Sequence, residues 1–244
     1  SLSLGYVAGT SFADVLSYKG GATDWLGIDD GTRRMPGPVR AASDANKLVQ
    51  VNALRPDVGY TSEELERFGE LMPNIWNLHR RLALPDLGLG ATLGSPFKLF
   101  GRKAGFLMAL VYDNKWSSSE LRQVYTKVSD QGLKRTHSYD MEELENKITL
   151  AGIVTLGVDF SKRHKVRLTS LVDRITDYEA RRYVGFNSDL DGNIRVTRLR
   201  WVERMLMVHQ LRGSHEIPQI GRKVDLRVAW RYTFSMATRD EPDR

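Results

Sequence analysis

The chain has 244 residues, no cysteine and a formal net charge of +6, with 41% hydrophobic and 27% charged residues. The missing thiols exclude disulfide frameworks, thiolate metal sites and cysteine nucleophiles. No window holds the roughly 18 uninterrupted apolar residues that a membrane-spanning helix requires, but barrel strands alternate and need no such window. The charge fits nucleic acid, a lipopolysaccharide-facing surface or a basic barrel interior, and does not choose among them. The chain opens on Ser1 without a charged-then-apolar leader and closes on the polar run 238–244. Both ends therefore read as cut ends, of a processed protein or a fragment.

Leu2, Leu4 and Tyr6 alternate and predict a first strand. From Phe12 to Pro85 the alternation is lost. Thr61-Ser-Glu-Glu64 is a capping box, and Leu65, Phe68 and Met72 share one face of a short helix that Pro73 ends. Glu63, Glu64, Glu66 and Glu70 read as its solvated face. At this length, 12–85 is a long excursion with a short helix rather than a hairpin connection.

Alternation returns at Leu87, Leu89, Ala91 and Leu93, then at Phe106, Met108, Leu110 and Tyr112. The glycines of Gly88–Gly94 have the wrong spacing for a dinucleotide loop, and Ser95-Pro96 follows where a helix should open. Small residues on a lumen face explain them better. Asp113 to Asn146 reads as a long polar connection, with Glu142, Glu143 and Glu145 at its base. Leu150, Val154, Leu156, Val158 and Phe160 mark another strand, and Val166, Leu168 and Val172 one more.

Tyr178 to Asn193 reads as a second long connection. Within it Asn187, Asp189 and Asp191 have the alternating oxygens of a calcium loop, but the twelfth position is Arg198 instead of glutamate. A turn at a loop tip is the preferred reading. Leu199, Trp201, Met205, Met207 and Leu211 form an apolar parity class interrupted by Glu203 and His209. From Val224 to Met236 every even residue is apolar and every odd one polar or small, over about thirteen residues, where soluble strands usually run five or six. Side chains alternate along a strand, so Val228, Trp230, Tyr232 and Phe234 should face lipid and Arg227 and Arg231 the lumen. Arg198, Arg200 and Arg204 oppose Leu199 and Trp201 in the same way. A lumen-facing basic ladder of Arg198, Arg200, Arg204, Arg227 and Arg231 is expected. The five histidines show no metal-ligand spacing, and no nucleophile, phosphate loop or supported carboxylate pair appears. No catalytic, cofactor or metal site is expected.

Gly20-Gly-Ala-Thr-Asp-Trp-Leu-Gly-Ile-Asp-Asp-Gly-Thr-Arg-Arg-Met-Pro36 resembles a motif of the TonB-dependent outer-membrane receptors, found shortly after the plug domain. Phe97–Phe106, Ala180–Phe186, Arg195–Trp201, Gln210–Gly213 and Arg239–Asp243 are similar to later landmarks in the same order. The resemblance implies an all-β, antiparallel, up-and-down transmembrane β-barrel. Residues 1–244 would be a partial barrel of about seven long strands, with the plug domain and remaining strands missing. It also implies an outer-membrane receptor of a Gram-negative bacterium importing a scarce nutrient such as a ferric siderophore. The implied partners are outer-membrane lipid and lipopolysaccharide, the plug, a TonB-type energy-coupling complex and an unidentified ligand, with no nucleic acid. This segment alone would not transport. Asp24, Trp25, Gly27, Asp29, Asp30, Gly31, Arg33 and Pro36 carry the signature, with a structural role expected.

Short turns at Gly101–Lys103, at Ser161–His164 and around Pro218–Arg222 would be periplasmic, and 12–85 extracellular unless a short hairpin intervenes at Asp14–Tyr18. The rival readings are a soluble basic β-sandwich binding module, which the length of the Val224–Met236 run opposes, and a nucleic-acid binder. The second needs aromatics on the arginine face, and the parities oppose that.

Overall fold

A computed structural model describes the chain except residues 1, 8–11, 46, 53, 56–57, 74, 131, 221–223 and 243–244. Its frame is one antiparallel sheet of seven strands in the order β1-β4-β5-β6-β7-β8-β9. These are β1 (Leu2–Val7), β4 (Asp86–Leu99), β5 (Arg102–Ser129), β6 (Gly132–Asp159), β7 (His164–Asn187), β8 (Gly192–Ile220) and β9 (Val224–Asp240). From β4 onward each strand pairs with the next in sequence, so the sheet is an up-and-down meander. β1 and β9 are its two edges. The closing half of the expected barrel is thus not part of the observed architecture.

The two long polar connections prove to be strand. β5 and β6 stay paired from Lys103↔Asp159 up to Ser129↔Gly132, with one register shift at Tyr125/Thr126. β7 and β8 stay paired up to Asn187↔Gly192. Toward the tip of the β5–β6 hairpin alternation fails because both faces are exposed, and polar residues such as Arg122 and Gln123 point to opposite sides. Glu142, Glu143 and Glu145 consequently lie inside β6 and not at a loop base. The length asymmetry survives in another form: the sheet is trimmed by tight turns at one end and extended by tall hairpins at the other. The Phe100–Gly101 turn uses positive φ at both residues, 48° and 73°. The third short connection falls at 221–223, outside the described residues.

Pairing fixes which residues share a face, because directly opposed residues point the same way. One level of the sheet reads Leu93, Met108, Val154, Ser170, His209, Phe234, and another reads Phe106, Leu156, Leu168, Leu211, Tyr232. Every apolar parity class of the sequence therefore converges on one face. The opposite face carries Thr155, Thr169, Gln210 and Thr233 at one level and Arg167, Arg212 and Arg231 at the next. Arg198, Arg200, Arg204, Arg227 and Arg231 all belong to this second face.

The excursion leaves the sheet between β1 and β4. Its two legs pair as a small antiparallel ladder, β2 (Asp14–Ser17) with β3 (His79–Leu82). No hairpin folds back inside Asp14–Tyr18; β2 finds its partner at the far end of the excursion. Between the legs lie a 3-10 turn (Asp24–Leu26) and two helices, α1 (Gly37–Asp44) and α2 (Ser62–Leu71), one helix more than the sequence suggests. Pro36 precedes α1 with φ −53° and ψ 141°, and a second proline, Pro38, sits in its first turn. The capping box of α2 is made in both directions: Glu64 N donates to Thr61 Oγ1 at 3.2 Å, and Thr61 N donates to Glu64 Oε2 at 2.8 Å. Phe68 meets Tyr60 edge-on at 5.4 Å.

The core lies where the neck of the excursion presses on the sheet. Val15, Tyr18 and Ala83 from the excursion pack with Trp116, Leu144, Tyr178, Ala180 and Trp201 from β5 to β8. Burying a tryptophan such as Trp201 removes about 200 Å² from water, a gross transfer gain of about 5 kcal/mol.

Candidate functional site: the docked signature segment

Residues 20–36 lie on the apolar-parity face, just beyond the end of its apolar stretch. The local geometry begins with glycine. Gly27 has φ 69°, and a Cβ there would sit 2.9 Å from Thr176 Oγ1 and 3.2 Å from an Ile148 methyl. Only a residue without Cβ lets the backbone come this close to the sheet in a left-handed conformation. Its carbonyl then accepts from Thr176 Oγ1 at 2.7 Å and from Arg174 Nε at 3.0 Å. Two residues on, Asp29 N donates to Glu203 Oε1 at 2.7 Å, and the same oxygen accepts from Trp201 Nε1 at 2.9 Å. Arg174 pairs with the other oxygen of Glu203.

Arg33 is the centre of the segment. Its side chain is 3% exposed. The guanidinium grips both oxygens of Asp24, at 2.7 Å from Nη1 and 2.6 Å from Nη2, and reaches Asp29 Oδ1 at 3.3 Å. It lies 3.8 Å from the Trp201 ring centre and 5.6 Å from that of Tyr18. Burial opposes the arginine's charge, yet Asp24 and Tyr18 more than offset that and hold its pKa above the ordinary value. Tyr18 stacks on Tyr178 with centroids 4.6 Å apart, and its own backbone N donates to Tyr178 Oη at 3.0 Å. Burial pushes the Tyr18 phenol up, against the lowering influence of Arg33.

The remaining signature residues shape the segment itself. Asp30 accepts from Ala22 N at 2.8 Å and Thr32 N at 3.1 Å, and the Thr32 hydroxyl leads the contacts that hold its carboxyl below the usual range. Asp29 Oδ2 accepts from Gly31 N at 3.1 Å, where φ is 97°. Trp25 is 60% exposed; its carbonyl accepts from Tyr112 Oη at 2.6 Å and its ring meets Tyr112 edge-on at 6.4 Å. Asp24, Trp25, Gly27, Asp29, Asp30, Gly31 and Arg33 are thus brought together, and Pro36 starts the helix that follows. The assembly holds chain to sheet; it contains no nucleophile with an adjacent base.

Glu203, Arg174, Thr176, Tyr18 and Tyr178 complete the site, and none of them was assigned a functional role from the sequence. The one available signal was Glu203, a charge inside an apolar parity class, which needs a partner. His209, the other interruption, finds one too, with Ser170 Oγ 2.8 Å from its Nδ1. His164 and His215, far apart in sequence, face each other at 3.1 Å between Nδ1 atoms.

The calcium-like residues serve a turn. Asn187 Oδ1 accepts from the backbone N of Asp189 at 2.8 Å and of Leu190 at 3.2 Å. Asp189 lies 3.4 Å from His137, and Asp191 takes φ 47°. The oxygen that would open the metal loop is committed to capping the chain reversal.

Most of the expected basic ladder is neutralised within the sheet. Arg198 lies 3.8 Å from Glu179, Arg200 2.9 Å from Glu241 and Arg227 2.7 Å from Glu216, while Arg204 pairs with Asp177. Arg231 differs from these four. Comparison with family models, with curated proteins and with solved structures finds no match for this chain.

Proposed function

We propose that this chain is part of the wall of an outer-membrane transport barrel, similar to the TonB-dependent receptors, and that it takes no part in catalysis. The observation that carries the reading is the apolar band. It runs on one face from the level of Val158 to that of Leu150, about 26 Å along the strand, or about 20 Å in height for a strand tilted by about 40°. A bilayer-facing band is about 25 Å tall and bordered by aromatic residues. Here Tyr112 and Trp25 stand at one border and Phe97, Phe106 and Trp230 near the other. Large side chains on this face are uncovered, among them Leu93 at 57%, Tyr232 at 66% and Phe234 at 49% exposed. An apolar sheet face of this extent needs lipid or another layer over it.

The edges support closure by further strands. β9 is long and unpaired on its outer side, the sort of edge that soluble proteins blunt and barrels abolish. The short turns would face the periplasm, and the tall hairpins and the excursion would stand outside the cell. In this frame the signature segment is a collar resting on the outer wall just above the lipid, with Trp25 at headgroup level.

Imported ligand, plug and energy-coupling partner follow only from the resemblance. Expression of the full-length protein in a Gram-negative host tests the reading: it should fractionate with the outer membrane, and lipids brominated along the acyl chain should quench its tryptophan fluorescence. Recovery from the periplasm without detergent would sink it in favour of a soluble β-sandwich.

A further inference from the structure

One level of the polar face reads Gly105, Gly157, Arg167, Arg212, Arg231 across five adjacent strands. Three arginines therefore stand directly opposite one another on β7, β8 and β9. Strands lie about 4.8 Å apart, so the three Cα positions span only about 10 Å. Like charges directly opposed across strands destabilise a sheet. Elsewhere on this face the difficulty is solved locally: Arg181 pairs with Glu143, Arg204 with Asp177, Arg227 with Glu216 and Arg239 with Glu241. Among the described residues, Arg167, Arg212 and Arg231 have no carboxylate within 4 Å. The level above supplies neutral groups, Thr155 bonded to Thr169 and Gln210 to Thr233. The level below opposes Asp159 to Lys165, followed by Ser214 and Ala229.

The surroundings are open. A cleft of about 510 Å³ lies over Arg167, Arg212 and Arg231, and its other walls include Gly157, Ser214 and Ala229. Small residues there leave room beside the guanidinium groups. The volume falls within the usual range for a small-molecule site, about 300–1,000 Å³.

We propose that the Arg167–Arg212–Arg231 row is a binding site for a group bearing two or more oxyanions, carboxylates or phosphates. A planar guanidinium takes such a group through two parallel hydrogen bonds, which a lysine cannot do, and three in a row suit a polyanion. The oxyanions come either from a solute in the cleft or from an acidic polypeptide packed against this face. The inference stands on the polar face alone and does not depend on what covers the apolar one.

Isothermal titration of the purified full-length protein with citrate and with pyrophosphate tests it, beside the variants Arg212→Gln and Arg227→Gln. Binding that weakens at least ten-fold in Arg212→Gln and at high salt, but is unchanged in Arg227→Gln, supports the site with a solute as its source. No binding of either probe, together with a lower melting temperature for Arg212→Gln, supports the site with a polypeptide as its source, because removing the charge has then cost a partner. No binding, with a melting temperature unchanged or raised by relief of repulsion, overturns the proposal. So does probe binding that Arg212→Gln leaves intact.

Discussion

The Arg33 guanidinium lies 3.8 Å from the centre of the Trp201 ring, with Asp24 closing its outer edge through two hydrogen bonds. The contact joins the excursion to the eighth strand and does so with a buried charge. A desolvated cation over tryptophan contributes about 2 kcal/mol, and the carboxylates satisfy the donors that the ring cannot. The excursion is thereby fixed in position by a charge whose every neighbour belongs to it or to the sheet beneath.

Arg33→Ala leaves Asp24 and Asp29 facing a void and should destabilise the docked state by about 3–5 kcal/mol, the usual cost of breaking a buried pair from one side. Arg33→Lys keeps the charge but loses the two-pronged grip on Asp24, and should fall between. Hydrogen exchange reads the effect: amides of 20–36 lose protection while those of β6 and β7 keep theirs. Uniform loss across the sheet would mean that Arg33 supports the whole fold rather than the docking.

Gly27→Ala tests the close approach. A residue with Cβ costs about 1–2 kcal/mol in the left-handed region, before the contact 2.9 Å from Thr176 Oγ1 is counted. Gly69 lies inside α2 with open space around it, so Gly69→Ala should be neutral or stabilise by up to about 1 kcal/mol. Denaturation of the two variants side by side measures the contrast; equal effects would discount the docking geometry.

The docking also depends on pH. Burial raises the Tyr18 pKa above the ordinary tyrosine value of about 10, so the folded state holds this proton more tightly than the unfolded chain. That stabilisation is complete below pH 10 and is lost as pH rises toward the folded-state pKa. In alkaline titration followed by phenolate absorbance, exposed tyrosines should ionise first, and Tyr18 only as the excursion loosens. Asp30 works at the other limb: its lowered pKa stabilises the segment above the usual carboxylate range, and the effect disappears as pH falls through it. Protease sensitivity of 20–36 should therefore rise at both extremes and stay flat between.

The strand faces were legible because period-two alternation is a local property of the chain. Phe106, Val154, Leu168, Met207 and Trp230 are each assigned by their neighbours, and pairing merely aligns the classes. The hairpin tips above the apolar band were not legible, since β5 near Arg122 and β6 near Lys134 have no covered face to impose a pattern. The docked segment was visible as a motif but not as a contact. Trp201 counted as one more apolar residue of its parity class, because nothing local reveals that Arg33 covers it.

Depth within the apolar band gives the sharpest test of the membrane reading. Alternation alone nominates Val228→Arg as the damaging change, but Val228 lies level with His215 and His164, one step beyond the Val158–Val166–Gly213–Trp230 level that borders the band. Val154 lies halfway between the Val158 and Leu150 levels, is 37% exposed, and stands beside Met108 and Ser170. A lipid-facing arginine costs about 2–4 kcal/mol at the bilayer midplane and about 0–1 near the interfaces. Val154→Arg should therefore impair assembly strongly and Val228→Arg weakly. Arg227→Val, on the opposite face, loses only an exposed pair with Glu216, worth at most about 1 kcal/mol. Folding yields into vesicles, read as the heat-resistant band on a denaturing gel, rank the three variants. Equal damage at Val154 and Val228 would remove the depth profile and with it the case for lipid, since a second protein layer packed over this face would penalise both.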